Sequence, residues 1–197
     1  MRAATLAELE RSGLSGLAMD RVAREAGVSR STLYRRWPTR AALVADLVEP
    51  LLARYDEIEP GTDLVEDLFL LLTTIRDNSS SPAGKALFSA LSEPSPDLAA
   101  TLDRMTRRTL TCFERLIDAG VERDEIDSDE DTDLVVHLLF SAAVMWERNY
   151  GTQPSDEALR QLLHVVLHPR MTGHAGNEAR PEPRETLTIT PRSKHSP

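Results

Sequence analysis

Residues 19–40, MDRVAREAGVSRSTLYRRWPTR, restrict the fold more than any other part of the chain. Met19, Val22, Ala23 and Ala26 recur at i, i+3, i+4 and i+7, the stripe of a helix with one buried face, and Gly27 supplies a left-handed residue to end it. Val28 and Ser29 complete a turn. Ser29 can cap a second helix in which Leu33 and Trp37 stand one turn apart and point inward, leaving Arg30, Ser31, Tyr34, Arg35 and Arg36 outside. Two short helices around a glycine turn, with Arg30, Arg35, Arg36 and Arg40 crowding the second, form a helix-turn-helix pattern. Its outer face suits a DNA groove, because arginine donates paired bonds to guanine or phosphate and hydroxyl side chains reach phosphate oxygens.

An arginine-rich helix face alone is as a rule merely solvated. The surrounding pattern is more specific. Ala26-Gly27-Val28-Ser29, Thr32-Leu33-Tyr34 and Trp37-Pro38-Thr39, at their fixed spacing, resemble the DNA-binding domain of the tetracycline-repressor (TetR) family. The resemblance covers residues 1–48, and the rest of the chain agrees in architecture. It implies that residues 29–36 form the recognition helix, with Arg30, Ser31, Thr32 and Arg35 approaching base edges and nearby phosphates and Tyr34 and Arg36 gripping the backbone. It further implies that Thr39 caps the next helix and that Arg40, in the first turn, meets a phosphate. Leu33, Trp37, Val22 and Leu43 are assigned to a small core. Two departures stand out. Ala18 occupies the place where the family carries a capping Thr or Ser, so one phosphate contact fewer is expected per subunit. The first helix also starts abruptly, with Leu6, Leu9, Ala3 and Ala4 to pack it, which suggests a natural start upstream of Met1.

The charge is unevenly spread. The chain carries −9 over 197 residues, yet residues 1–48 hold eight arginines against five acids, which leaves the remainder at −12. A basic reading head on an acidic body is the layout of a DNA-binding protein that resists nonspecific sticking. Cys112 is the one cysteine, so an internal disulfide and a cysteine-based zinc site are excluded. The longest apolar run, Leu134 to Trp146, is interrupted by His137 and too short to span a bilayer, and a cytoplasmic protein is expected. Arginine far outnumbers lysine (Lys85 and Lys194), a hint of a GC-rich bacterial source.

Beyond Thr39 the punctuation is helical throughout, with no sustained strand alternation. A helix through Leu43, Leu47, Leu51 and Tyr55 contains Pro50, which removes one backbone bond. Pro60-Gly61 breaks the chain, and Thr62 or Asp63 caps a helix carrying Leu64, Leu68, Leu71, Leu72 and Ile75. A short helix is predicted around Ala86 to Leu91. Ser95-Pro96 then opens a long one through Met105, Cys112, Phe113 and Ile117, closed by Gly120. Glu122 to Asp133 is an acidic loop without the glycine and distal glutamate of a calcium loop, so no metal is expected. Residues 132–150 are apolar nearly all round, and a last helix carries Leu159, Leu162, Leu163 and Val166 up to His168-Pro169. Residues 170–197 are predicted to be a disordered tail.

The reading is an all-α chain with an N-terminal helix-turn-helix DNA-binding domain (1–48) followed by a helical ligand-binding and dimerisation domain (49–169). The resemblance implies a homodimer through the last two helices, a palindromic double-stranded DNA operator, and a repressor released by a small-molecule effector among the central helices. Phe69, Phe88, Met105, Phe113, His137, Ser141 and Trp146 are candidate pocket residues by type. No cofactor and no catalytic residue is expected. His164 and His168 sit one turn apart without the glutamate or third ligand of a zinc site, and there is no nucleophile elbow, phosphate loop or paired carboxylate. The alternative is a helical dimeric interaction or small-molecule-binding protein that has lost specific DNA binding, suggested by Ala18 and the shortened first helix.

Overall fold

Ser29, Thr39, Asp63 and Ser155 each put a side-chain oxygen on the backbone N–H three residues ahead, at 3.2, 3.1, 2.9 and 3.2 Å. Each supplies an acceptor that the first turn of a helix otherwise lacks, and four helices begin there. A computed structural model describes residues 1–85, 99–127, 132–168 and 171. In chain order the helices are α1 (Arg2–Ser12), α2 (Met19–Glu25), α3 (Arg30–Arg36), α4 (Arg40–Asp56), α5 (Leu64–Ser80), α6 (Ala99–Glu122), α7 (Thr132–Tyr150) and α8 (Asp156–Leu167). Among the described residues the only β pairing is an isolated bridge between Ile126 and Met171. Met171, placed in the tail by the sequence reading, instead packs against the core beside Ile126. The helix expected at Ala86 to Leu91, the Ser95-Pro96 start and the rest of the tail lie outside the described residues.

Helices α1 to α3 form the head, with Leu9, Met19, Val22, Ala23, Leu33 and Trp37 buried together. Ala3, expected to help pack α1, is exposed, while Thr5 and Glu8 are buried in its place. In the body, α5 packs against α4, α6, α7 and α8, and its Leu68, Leu71 and Leu72 are fully buried. The stripe Leu102, Met105, Thr109, Cys112, Phe113, Leu116 and Ile117 is the matching face of α6. The boundary expected at residue 48 falls inside α4, which runs from head to body without interruption. Pro50 stands on its exposed side near exposed Asp46, where water can take up the carbonyl that the proline leaves unbonded.

Gly120 does not close α6. It lies inside the helix, buried against Leu64, whose Cδ2 would stand 2.8 Å from an added Cβ. The close approach of α5, not a left-handed backbone, is what demands glycine there. The left-handed residue is Asp124 (φ 57°). The amides of Asp124 and Glu125 bond to the Val121 and Gly120 carbonyls at 3.0 and 2.9 Å, the paired bonds of a Schellman end. That turn aims Glu125 back at the body. Its Oε2 accepts from the Leu64 amide at 2.7 Å and its Oε1 from Arg123 Nε at 2.9 Å. The acidic loop therefore begins as a structural knot. Arg123 also bonds to Asp67, whose two oxygens accept from the Gly61 amide at 2.9 and 3.0 Å.

Replacing Asp67 by Ala leaves the Gly61 amide unpaired and deprives Arg123 of a carboxylate, so a loss of about 1–3 kcal/mol is expected. Urea unfolding of the variant beside wild type measures it.

Candidate functional site

The turn between α2 and α3 is a second Schellman end. Gly27 (φ 67°) is the left-handed residue, Val28 N–H bonds to the Ala23 carbonyl at 3.0 Å and Gly27 N–H to the Arg24 carbonyl at 3.2 Å. Ser29 follows in extended backbone and caps α3. Leu33 is fully buried and Trp37 nearly so, which turns Arg30, Ser31, Thr32, Tyr34, Arg35 and Arg36 to solvent. The hydroxyls of Ser29, Ser31 and Thr32 cluster at the start of α3, with Ser29 Oγ 3.0 Å from Ser31 Oγ and 2.9 Å from Thr32 Oγ1. Arg30 Nη2 lies 2.5 Å from Asp20 Oδ2, so an acid on α2 holds the first arginine of α3. Arg36 lies over the Trp37 ring, 5.1 Å from its centroid. Thr39 caps α4, and Arg40 Nη1 donates to the Ser15 carbonyl at 2.9 Å, which ties the first turn of α4 to the α1–α2 loop.

Ala18 offers α2 no capping side chain, and a residue missed from sequence supplies part of the loss. Glu8 of α1 is fully buried. Its Oε1 accepts from the Ala18 amide at 3.3 Å, from Arg21 Nε at 2.7 Å and from the Ser12 hydroxyl at 3.1 Å, and its Oε2 accepts from Arg11 Nη1 at 2.9 Å. Arg11 reaches on to Glu25 at the far end of α2. Burial pushes the Glu8 carboxyl up, but the bonds from Arg21, Ser12 and Ala18 and the charge of Arg21 outweigh it and hold it below its usual 4.5. A glutamate on a helix interior reads as solvated, and its role depends on a loop that the helical period does not describe.

In the body, a small apolar cavity of about 50 Å³ opens between α4, α5, α6 and α7. Leu51, Leu52, Ile75, Met105, Phe140 and Val144 form most of its wall, and Tyr55, Asn78, Thr106 and Thr109 bring polar groups to it. Burial pushes the Tyr55 phenol up, while the Asn78 side chain, the charge of Arg54 and the Thr109 side chain pull against that. Of the seven residues proposed by type, Met105 lines this cavity. Phe113 is fully buried as part of the core, and Phe69 lies beneath the Arg160 guanidinium at 3.9 Å. His137 and Ser141 face outward from α7, and Trp146 packs on Tyr150. Phe88 lies outside the described residues. Residue type marks what can line a pocket, but helix facing decides what lines this cavity. His164 and His168 meet edge to face with ring centroids 4.8 Å apart, and among the described residues no three metal-binding side chains converge.

An arginine- and hydroxyl-bearing helix presented beyond a Schellman turn, carried at the end of a helical body, defines a helix-turn-helix DNA-binding regulator. Comparison with known proteins agrees. The family model for bacterial regulatory proteins of the tetR family matches residues 2–47, and the one for the tetracyclin repressor-like C-terminal domain matches residues 58–166. The chain belongs to the TetR family. It is 31% identical over 169 residues to the HTH-type transcriptional regulator AqdR of Rhodococcus erythropolis, covering 83% of this chain and 80% of that one. It is 28% identical over 182 residues to an uncharacterized HTH-type transcriptional regulator of Mycobacterium bovis, covering 88% and 87%. The crystal structure of the regulator FadR from Bacillus subtilis in complex with stearoyl-CoA shares its fold, with a TM-score of 0.67, 16% identity, and 84% of this chain and 95% of that one covered. The relatives are named as regulators rather than enzymes. Among the described residues no helix is long and apolar enough to cross a membrane.

Two predictions concern the head. Arg30→Ala should relax base discrimination at one operator position, whereas Tyr34→Ala and Arg40→Ala should weaken binding to all DNA, Arg40→Ala alone lowering the salt slope by about one. Salt-titrated anisotropy on specific and scrambled duplexes separates the two effects. For Glu8, a folded value below 4.5 means that its stabilisation is complete above that pH and fades as acid takes the pH down through the folded value. Glu8→Gln should cost about 1–3 kcal/mol at neutral pH, with the gap to wild type closing on acidification. Urea unfolding at stepped pH from neutrality to below 4.5 reads the gap.

Proposed function

We propose that the chain is a homodimeric repressor that occupies a palindromic operator through paired α3 helices and leaves it when a small molecule enters the body. The outward face of α3 carries this reading: Arg30, Ser31, Thr32, Tyr34, Arg35 and Arg36 all stand exposed on one short helix behind a capped, left-handed turn. Of these, the residues near the start of α3 are assigned to base edges. Tyr34, Arg36 and the Thr39–Arg40 turn are assigned to the phosphate backbone.

The dimer rests on α7 and α8. Leu134 and Leu138 are 50% and 46% exposed, on one stripe with Ser141 and Met145, and Val165 of α8 is 65% exposed. Large aliphatic residues in such a row seek a partner, and an isologous contact between two copies would bury all of them in a four-helix packing. A twofold dimer carries two recognition helices, so the operator repeats as inverted half-sites roughly 34 to 36 Å apart or a multiple of that. The effector is assigned to the cavity between α4 and α7, where a change in α4 would alter how the two heads are spaced.

Fluorescence anisotropy on the DNA upstream of its own gene, with scrambled DNA as control and salt varied, tests the DNA function; equal weak binding to both would overturn it. For the dimer, Leu138→Asp should sediment as a monomer and lose operator affinity by about 10²-fold or more. A wild type that is already monomeric at micromolar concentration would refute the interface.

A further inference from the structure

Asp20 and Arg30 meet on the outer face of the head. Arg30 is the first residue of α3, with a side chain 69% exposed, and Asp20 lies in the first turn of α2, 36% exposed, its Oδ2 2.5 Å from Arg30 Nη2. Met19, Val22 and Ala23 turn the opposite side of α2 into the head core, so Asp20 stands on the side where α3 presents its arginines. Other acids of the head are engaged elsewhere. Glu8 is buried under Arg11 and Arg21, and Glu25 pairs with Arg11 of α1.

An exposed ion pair adds little to the stability of a fold. A carboxylate on a surface that docks against DNA also opposes binding, because the phosphates repel it. Neither stability nor affinity accounts for Asp20, whereas selectivity does. A lone guanidinium at this place would take the nearest phosphate, a bond that every sequence offers and that adds to the salt dependence. Paired with Asp20, Arg30 brings no net charge to the phosphates, and leaving Asp20 for one of them would strand the carboxylate before a polyanion. Docking also strips water from around the pair, which strengthens it.

What the pair keeps is hydrogen-bonding capacity. A guanidinium has more N–H donors than one contact uses, and a carboxylate has a second acceptor oxygen. Arg30 and Asp20 therefore show donors and, beside them, an acceptor. In the major groove a G·C pair shows the complement, with guanine N7 and O6 as acceptors followed by the cytosine amine, whereas an A·T pair sets the adenine amine between two acceptors.

We propose that Asp20 is a specificity-determining residue: it withholds Arg30 from the phosphates and holds it for a guanine, so that the two side chains read one G·C pair together. The inference rests on the assignment of Arg30 to base edges and adds the residue that enforces it.

Selection from a pool of randomised duplexes by wild type, Asp20→Ala, Asp20→Asn and Arg30→Ala tests it. Wild type should favour G·C at one position by roughly ten-fold or more, and Arg30→Ala should lose that preference. Both Asp20 variants should lose it at the same position, to under about three-fold, and keep the others. Salt titration on a scrambled duplex gives a second readout. The Asp20 variants should bind it about three- to ten-fold tighter at low salt with a slope steeper by about one, and adding Arg30→Ala to Asp20→Ala should remove that increment. Asp20→Asn preserves the shape of the side chain and serves if Asp20→Ala does not fold, as the thermal transition of each variant reports. An Asp20 variant that retains the G·C preference, or that weakens all sequences alike, overturns the proposal, as does a wild-type preference for A·T at the position that Arg30 controls. A wild type that selects no sequence at all overturns the base-reading face of α3 itself, which separates that failure from failure of the role of Asp20.

Discussion

Helix α4 is the element on which the rest depends. It is one continuous helix whose first half buries Leu43, Val44, Leu47 and Val48 and whose second half buries Leu52 and Tyr55 in the body. Leu43 and Leu47 flank a groove shared with Met1, Thr5 and Trp37 of the head, while Leu51, Leu52 and Tyr55 wall the cavity. Head and body are thus joined by one continuous helix of 17 residues that packs in both.

Several arginines hold that helix or its neighbours rather than serving as free surface charge. Arg108 of α6 forks between Glu49 and Asp56 of α4, two turns apart on either side of Pro50, and splints the one place where the helix lacks a backbone bond. Those two carboxylates push the Arg108 guanidinium above its ordinary value. Arg115 donates to the Tyr55 and Ile58 carbonyls where α4 ends, beside the Cys112 thiol that also meets the Tyr55 carbonyl. On the far side of the body, Arg76 and Arg160 tie α5 to Asp156 and across to Glu66. The acidic surplus of the body is thus partly a set of anchors for structural arginines. On α3, by contrast, the arginines project outward with only Asp20 and the Trp37 ring against them.

The head shows how local rules and one long-range contact share the work. The Schellman turn at Gly27 and the Ser29 cap are local, and each involves residues within six positions of one another. The entry to α2 is not. It relies on Glu8, ten residues upstream, whose buried carboxylate binds two arginines, a serine and the Ala18 amide at once. A buried carboxylate with that many donors is rigid, and removing it would leave Arg21 and the amide without their shared acceptor.

The sequence by itself determined the elements whose signals are periodic or immediate. The buried stripes of α2 and α6, the cap at Ser29 and the outward face of α3 follow from spacing along a single helix. Only the tertiary structure decided which faces meet. Gly120 looks the same on the page whether it ends a helix or admits Leu64, and the choice depends on how near α5 comes. Glu125 and Asp124 read as two more acids in an acidic loop until the left-handed turn at Asp124 directs one of them onto the start of α5. Met105 lines the cavity and Phe113, eight residues on, does not, because the rotation of α6 against α4 and α5 sends their side chains to different places. Hydrogen-bond partners inside a helix lie within a turn or so and can be read in one dimension, whereas partners across helices lie as far apart as Leu64 and Glu125 and exist only once the chain has packed.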